Sequence, residues 1–145
     1  MARARVTHRR ILIPLDGSKL ADAMLRPVES LAEATGAELV LVSVAHTAAG
    51  VAAARRHLDR VCFALTRRGR PARARVARGD AATQILAAAD RERPWCIAMA
   101  THARTGPARW VLGSVAERVL REARHPVLVA NPSALGTRLV PRQIV

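Results

Sequence analysis

The stretch WCIAMATHARTGPARWVLGSVAERV, residues 95–119, carries the pattern that decides the fold. It begins as a short apolar run, continues into a loop with glycine, proline and two arginines, and closes on Gly113-Ser114 before a segment with helical spacing. Backbone N–H groups at the start of a helix point outward, and the helix dipole there favours an anion. The stretch therefore predicts a strand–loop–helix unit of a kind that holds phosphate.

The rest of the chain repeats this alternation. Apolar runs typical of buried strands occupy residues 11–15, 37–46 and 125–132, and helical spacing occupies residues 20–36, 51–65 and 81–92. The segment PARARVAR (71–78) alternates alanine or valine with arginine, which indicates an edge strand with one exposed face. Five strands alternating with four helices predict an α/β domain, with an open, mostly parallel sheet and helices on both faces.

Three local signals refine this pattern. Pro27 lies inside the first helical segment and should kink it or weaken its middle turn. Asp80 is a suitable N-cap for the third helix, since its carboxylate can accept from N–H groups of the first turn. Ser114 and Glu117 have the spacing of a capping box at the start of the fourth helix.

Length and composition limit the class of protein. With 145 residues, half of them hydrophobic, the chain fits one globular domain. We expect a flexible basic N-terminus at 1–8, the domain at 9–132 and a tail at 133–145. The apolar runs are shorter than the roughly 20 residues that span a bilayer, and no signal peptide is evident. The isolated Cys62 and Cys96 are interpreted as buried hydrophobes of a reduced, cytoplasmic protein, and no metal site is predicted.

The strand ends with unusual chemistry are Pro14-Leu15-Asp16-Gly17 and residues 100–104. In open α/β sheets, ligands bind beyond the carboxyl ends of the strands, where the strand order reverses. We therefore expect these two strands to be neighbours that flank a crevice. Asp16 could accept hydrogen bonds from a ribose or an adenine amino group, or else Asp16 or Ser18 simply caps the first helix.

Several catalytic and nucleotide motifs are absent. The chain lacks GxxxxGK[ST], GxGxxG after the first strand and a GxSxG elbow, so we predict neither a P-loop, a dinucleotide site nor a serine hydrolase. No general base is evident beside Ser114. The protein is therefore expected not to be an enzyme.

Residues 9–132 resemble the universal stress protein family. The resemblance rests on ILIPLDGS (11–18), GDAATQILAAAD (79–90) and MATHARTGPARWVLGSVAERVLREARHPVLVANP (99–132). It implies the adenine-nucleotide alpha-hydrolase-like fold, with five parallel strands in the order 3-2-1-4-5. It also implies a homodimer that pairs through Val127, Leu128 and Val129 of the last strand.

The resemblance further implies an adenine-nucleotide site, with ATP as the ligand. The ATP-binding branch carries G-x2-G-x9-G-[ST], and the matching positions here are Ala100, Ala103, Gly113 and Ser114. The resemblance implies that the adenosine pocket is lined by Pro14, Leu15, Asp16 and Val44. It implies that the ribose and first phosphates lie above Met99, Ala100, His102 and Ala103. It implies that the outer phosphates are bound by Gly113, Ser114, Val115 and Ala116. Arg104 and Arg109 would add positive charge.

The departures from this motif predict a weakened phosphate loop. If the backbone at Ala103 needs a positive φ, its Cβ costs on the order of 1 kcal/mol, close to a tenfold loss of affinity. Ala116 removes one hydroxyl donor. The first hypothesis is thus a dimeric stress-response and signalling protein that binds ATP through a weakened site.

Two other hypotheses stay open at this point. The fold could serve as a dimerisation or interaction module that binds no nucleotide. The net charge of +13 and the arginines between Arg55 and Arg78 also suit non-specific polyanion binding. Arg56, Arg60 and Arg67 fall on the outer face of the second helix, whereas Arg73 and Arg75 lie on the edge strand. The simpler interpretation of these arginines is a solvated face.

Overall fold

The computed structural model describes residues 9–103, 110–111 and 113–131. Its strands are β1 (Arg10–Pro14), β2 (Glu38–Ala45), β3 (Ala72–Arg78), β4 (Cys96–Ala100), β5 (His102–Ala103), β6 (Trp110–Val111) and β7 (Val127–Ala130). Its helices are α1 (Lys19–Ala23), α2 (Leu25–Thr35), α3 (Ala48–Arg67), α4 (Ala81–Glu92) and α5 (Ser114–Glu122). The predictions for the N-terminal segment 1–8 and the tail 133–145 lie outside the described residues.

The main sheet has five strands, all parallel, in the order β3-β2-β1-β4-β7. The predicted order 3-2-1-4-5 is confirmed, since β7 is the fifth strand of this sheet. β1 pairs with β4 through Ile11 opposite Cys96 and Leu12 opposite Ile97. The two strands expected to be neighbours therefore are, and the strand order reverses between them, where α/β folds place their ligands.

Two hydrophobic layers enclose the sheet. On one face, Met24, Val28 and Leu58 pack in a cluster with β1 and β2. On the other face, Ile85 of α4 and Val119 of α5 pack in a second cluster. The helices that connect β1, β2 and β3, namely α1, α2 and α3, thus lie on one face of the sheet. The helices α4 and α5, which precede β4 and β7, lie on the other face, as right-handed connections require.

The first helical segment is two helices rather than one. It breaks at Met24, three residues before the proline. In a continuous helix the ring of Pro27 would clash with the carbonyl of Ala23, and Pro27 has no N–H to donate to it. The break leaves α1 as a short separate helix beside the carboxyl end of β1.

The segment predicted as a loop after β4 contains a further pair of strands. His102 of β5 pairs with Val111 of β6, and Ala103 pairs with Trp110, in antiparallel register. A period-2 hydrophobic pattern is too short to be recognised in strands of two residues. The sequence therefore could not indicate this hairpin.

The edge position of β3 is confirmed, and two of its partly exposed arginines, Arg73 and Arg75, pair with carboxylates of the protein. Arg73 donates to Glu92 at 2.8 Å and to Glu38 at 2.7 Å, and Arg75 donates to Glu92 at 2.9 Å. Arg10 donates to the main-chain carbonyl of Glu92 at 3.1 Å. We call these five residues the amino-end network, because they lie at the amino end of the sheet. Since Arg73 and Arg75 are paired with carboxylates of the protein, most of their charge is neutralised within the fold.

Most hydrogen bonds of the amino-end network are accepted by Glu92. Its side chain is 5% exposed. Donation from Arg73, followed by donation from Arg75, lowers the pKa of Glu92 from 4.5 to about 2, against the opposing effect of burial. The carboxylate is therefore charged at any physiological pH.

The two cysteines differ in burial. Cys96 is buried, as predicted, and burial raises the pKa of its thiol to about 11. Cys62 is only half-buried, although it packs against the core cluster that contains Leu58 and Leu65. In the part of the chain that the structure describes, no helix is both long enough and apolar enough to cross a membrane.

Candidate functional site

A cleft of about 280 Å³ opens at the carboxyl ends of β1, β2 and β4. The helices α1, α4 and α5 contribute its remaining walls. The described residues that line it are Pro14, Leu15, Asp16, Ser18, Leu20, Ala21, Val42, Val44, Ala81, Ile85, Met99, Ala100, Gly113, Ser114, Val115 and Ala116. The cleft thus lies at the switch point of the sheet.

Asp16 is held at the cleft by the turn that follows β1. The backbone N–H of Leu15 donates to the carbonyl of Val42 at 2.8 Å, which continues the β1–β2 pairing beyond the strand end. The N–H of Ser18 donates to Oδ1 of Asp16 at 2.9 Å, and the Ser18 hydroxyl accepts from the N–H of Ala21 at 3.1 Å. Ser18 is therefore the cap of α1, and the carboxylate of Asp16 is not used for capping.

Asp16 is the one ionisable side chain among the described residues that line the cleft. A carboxylate has about four acceptor positions, so it can accept from a ligand while it accepts from Ser18. No group of three or more histidine, cysteine, aspartate or glutamate side chains that could hold a metal ion occurs in the described part of the chain. The polar chemistry of the cleft is therefore that of hydrogen bonding at two places, Asp16 and the start of α5.

The start of α5 differs from the starts of the other helices that follow strands. Ser18, Thr47 and Asp80 each accept from a backbone N–H in the first turn of α1, α3 and α4. The N-cap of α5 is Gly113, which provides no side chain for this purpose. The first N–H groups of α5 are thus left for another acceptor.

The predicted capping box at Ser114 and Glu117 is wrong. Gly113 takes the extended conformation of the N-cap, with φ −64° and ψ 158°, so Ser114 is already the first helical residue. A hydroxyl at that position does not reach the N–H groups of its own helix as an N-cap side chain does. The Ser114 side chain is exposed at the cleft and has no hydrogen-bond partner among the described residues.

Nothing in the described part of the chain requires glycine at position 113. Its φ is negative, and a Cβ there would have no atom of another described residue within 4 Å. Both conditions are compatible with alanine. The missing Cβ instead leaves room at the wall of the cleft where the α5 N–H groups begin.

The apolar walls suit a flat ring. Val42 and Val44 come from β2, Ile85 from α4 and Met99 from β4. Val42, Ile85 and Met99 are almost wholly buried and belong to the hydrophobic layer beneath α4 and α5. Apolar side chains around a small opening can bind an aromatic base by contact over its faces.

Ala116 lines the base of the cleft, but its methyl group is 5% exposed and packs in the layer of α4 and α5. A hydroxyl at this position would lie in that layer. The side chain at position 116 is directed mainly to the core. The absence of a hydroxyl there therefore has little effect on the hydrogen bonds that the cleft can offer a ligand.

The predicted site residues are placed as follows. Those that line the cleft are Pro14, Leu15, Asp16, Val44, Met99, Ala100, Gly113, Ser114, Val115 and Ala116. His102 and Ala103 form β5, one residue after the strand that contributes Met99 and Ala100. Arg104 and Arg109 lie outside the described residues.

The predicted strain at Ala103 is not supported. Its backbone pairs with Trp110 in an antiparallel ladder, and residues in such ladders have extended backbones with negative φ. Because any L-residue adopts that conformation, alanine here carries no cost of the left-handed kind. The weakening of the phosphate loop that was expected from a positive φ has no basis in this geometry.

Sequence reasoning missed Ser18, Leu20, Ala21, Val42, Ala81 and Ile85. Val42 is two residues before Val44 on one strand, so the period-2 rule places both side chains on one face. The sequence predicts Ser18 only as a possible cap of α1. Ala81 and Ile85 come from α4, and no local signal shows that this helix reaches the cleft.

Comparisons with known proteins agree with this architecture. A sequence model of the universal stress protein family matches residues 47–131, more than half of the chain. The chain belongs to the universal stress protein family. Universal stress protein MJ0531 of Methanocaldococcus jannaschii is 28% identical, with 86% of this chain and 82% of that protein covered.

Solved structures of the family share the fold. A universal stress protein of Burkholderia pseudomallei is 32% identical with a TM-score of 0.68, covering 85% of this chain and 96% of that one. The Archaeoglobus fulgidus protein in complex with dAMP is 19% identical with a TM-score of 0.67, covering 83% of this chain and 96% of that one. A universal stress protein in complex with cAMP is 21% identical with a TM-score of 0.65, covering 86% and 98%. At these last two identities, the likeness concerns the fold.

Proposed function

We propose that the cleft binds an adenine nucleotide, with ATP among its ligands, and that this binding is the signal to which the protein responds. The observation that carries the proposal is the meeting of Asp16 and the uncapped start of α5 in one apolar cleft. Structures of two family members with the same fold contain bound dAMP and cAMP. These complexes support an adenine nucleotide, in particular, as the ligand of this cleft.

In this proposal Asp16 recognises the nucleoside. It follows β1 directly, and the Ser18 N–H holds its carboxylate at 2.9 Å. A fixed carboxylate accepts hydrogen bonds from ribose hydroxyls or from the adenine amino group. Guanine presents a carbonyl where adenine presents that amino group, so a carboxylate in contact with the base would favour adenine.

The phosphates would lie against α5. The N–H groups of Ser114 and Val115 lack acceptors within the helix because they belong to its first turn. The Ser114 hydroxyl can donate to a phosphate oxygen, and the missing Cβ of Gly113 lets that oxygen approach the backbone. An anion there would also gain from the helix dipole.

We further propose that the protein is a binding protein rather than an enzyme. Among the described residues that line the cleft, only Asp16 could act as a general base, and the proposal needs it at the nucleoside end. A group there lies away from a terminal phosphate, whereas a general base must reach the proton it removes.

The proposed assembly is a homodimer through β7. In the described sheet β7 pairs with β4 alone, so its other edge carries backbone groups that a second copy can pair with. Val127 and Leu128 are almost wholly buried, whereas Val129 is half-buried and is the apolar contact that a partner strand would cover. A nucleotide-responsive dimer of this kind suits a role in stress signalling in the cytoplasm.

The deciding experiment is an equilibrium titration of the full chain with ATP, ADP, AMP and GTP at near-physiological ionic strength, where exposed charge is screened. Asp16→Asn serves as the isosteric variant, since it keeps an oxygen for Ser18 but loses the charge. A hydrogen bond to a charged group contributes about 1.5–3 kcal/mol, so we expect affinity for ATP to fall by roughly ten- to a hundredfold.

Ser114→Ala is the matched variant at the phosphate end. We expect it to weaken ATP binding while adenosine and AMP binding stay nearly unchanged, because neither adenosine nor AMP has the outer phosphates that would lie at Ser114. If all four nucleotides bind alike, and salt removes them together in the wild type and in both variants, the proposal fails. The alternative of a dimerisation or interaction module without a nucleotide would then hold.

A further inference from the structure

The outer surface of α3 carries a continuous exposed stripe. Its members are Ala49, Ala53, Arg56, Arg60, Phe63 and Arg67, all exposed. Successive members are four or three residues apart, which places them on one side of the helix. We call this set the α3 stripe.

The α3 stripe is not a misplaced core face. Leu58 and Leu65 lie on the opposite side of α3 and are 0% exposed, because they pack against the sheet. The helix is therefore held by its inner face and presents the stripe on a rigid support. None of the described residues that line the nucleotide cleft comes from α3.

The stripe holds positive charge that the protein does not neutralise. Arg56, Arg60 and Arg67 form no ion pair with a described carboxylate. By contrast Arg68, the next residue along, pairs with Glu29 at 2.6 Å, although it too is exposed to water. Asp59 is the one acidic residue of α3. The stripe thus has a clear surplus of cations.

Phe63 gives the stripe an apolar centre. Its side chain is 66% exposed, although the chain has only three aromatic residues to build a core. The guanidinium of Arg67 lies 5.8 Å from the centre of the ring. An exposed aromatic ring flanked by arginines has the composition of an interface hot spot.

We propose that the α3 stripe docks an acidic amphipathic helix of another protein. In this complex Phe63 contacts an apolar side chain of the partner, and Arg56, Arg60 and Arg67 pair with its carboxylates. Ala49 and Ala53 allow close approach of the partner backbone at the other end of the stripe. The four-and-three spacing is that of a helix–helix seam, in which ridges of one helix fit grooves of the other.

Charge and shape favour this partner over others. A second copy of the chain would place like charges opposite each other and is disfavoured. Single-stranded nucleic acid is held in concave, positively charged grooves with several stacking aromatics. The α3 stripe is a convex ridge with one aromatic ring, which suits a helix better.

The probe for the test is a synthetic acidic peptide about three heptads long, with glutamates and leucines gathered on one helical face. Its control is a scrambled peptide of the same composition, in which the leucines are spread around the helix. Binding to the full-length chain is measured by fluorescence anisotropy. We expect the patterned peptide to bind about tenfold more tightly than the scrambled one.

Phe63→Ser is expected to remove that preference, with a loss of about tenfold for the patterned peptide and little change for the scrambled one. Trp95→Ser is its control, since Trp95 is also partly exposed and stacked by an arginine but lies off the stripe. Arg60→Gln should weaken the patterned peptide roughly threefold, while Arg91→Gln on α4 should not. Circular dichroism shows that each variant is folded.

Four results would overturn the proposal. Equal binding of the two peptides would show attraction by charge alone, and so would equal effects of Phe63→Ser and Trp95→Ser. Absence of binding by the patterned peptide would remove the docking surface. Tighter binding of an oligouridylate that displaces the peptide and depends on Phe63 would assign the stripe to nucleic acid instead. None of these results bears on the nucleotide cleft, which is tested separately by ATP titration.

Discussion

Replacement of Glu92 by glutamine tests whether the amino-end network stabilises the fold. Glutamine keeps the size and shape of the side chain but removes the charge that Arg73 and Arg75 share. Because the carboxylate is 5% exposed, water cannot replace the lost interaction in full. The expected result is a strong loss of stability without a change of fold.

The magnitude follows from the pKa of Glu92. Hydrogen bonds from Arg73 and Arg75 lower that pKa from 4.5 to about 2. Each pKa unit corresponds to about 1.36 kcal/mol, so the charged form is favoured in the folded protein by about 3 kcal/mol. For a domain of this size, such a loss lowers Tm by about 10 °C.

The assay is urea unfolding at pH 7, followed by far-UV circular dichroism, with the midpoint and slope fitted for both proteins. Glu33→Gln is the control. Glu33 also pairs with an arginine, Arg70 at 2.8 Å, but its side chain is 67% exposed. An exposed pair of this kind contributes at most about 1 kcal/mol, so the control should change the midpoint little.

The same variant has a distinctive pH dependence. Since the folded-state pKa of Glu92 is depressed, its contribution is complete above about pH 4.5 and is lost as the pH falls toward 2. The stability difference between wild type and Glu92→Gln should therefore shrink from about 3 kcal/mol at pH 7 to near zero at pH 2. A difference below about 1 kcal/mol at pH 7, or one that stays constant down to pH 2.5, would refute the reasoning.

Further predictions concern the cleft and the cysteines. Gly113→Ala should leave the free energy of unfolding within about 1 kcal/mol of wild type, since φ is −64° and a Cβ would contact none of the other described residues. It should nevertheless weaken ATP binding about tenfold in calorimetry. Equal ATP affinity would show that no phosphate approaches there. Ala103→Gly should raise ATP affinity less than about threefold, because the paired backbone of β5 has no left-handed strain to relieve; a tenfold gain would contradict the strand geometry. Iodoacetamide at pH 8 should label Cys62 slowly and Cys96 only after unfolding. The reason is that burial raises the pKa of both thiols, that of Cys96 to about 11. Peptide mass mapping measures the labelling, and rapid labelling of native Cys96 would show that the strand is accessible.

Much of the fold could be predicted because its signals are local. The continuous apolar runs of β1, β2 and β4 predict strands that are buried on both faces of the sheet. The alternation of arginine with small residues in β3 predicts an edge strand. Asp80 caps α4 as its position predicts, with Thr83 N–H at 3.0 Å. One error arises where two local rules compete. At the start of α5, the Ser–Glu spacing of a capping box suggested Ser114 as the cap, whereas the extended backbone of Gly113 takes that place.

The candidate site was predictable in part for the same reason. Asp16 follows strand β1 and Gly113 precedes helix α5. At such positions a polar residue or a glycine is easily distinguished from the apolar pattern of the neighbouring element. Ala81 and Ile85 carry no such mark, because they read as ordinary residues of an amphipathic helix. Their place at the cleft depends on how α4 crosses from β3 to β4, which no short window of sequence contains.

The sequence by itself determined the alternation of strands and helices, the class of the sheet and the residues that end its strands, because these follow from local periodicity and backbone preference. Only the tertiary structure decided which of those ends meet and what the charges do. Arg73 and Arg60 are alike in sequence, yet Arg73 pairs with a buried glutamate whereas Arg60 faces solvent. That difference arises from residues distant in the chain, which the packing of helices on the sheet brings within a few ångströms.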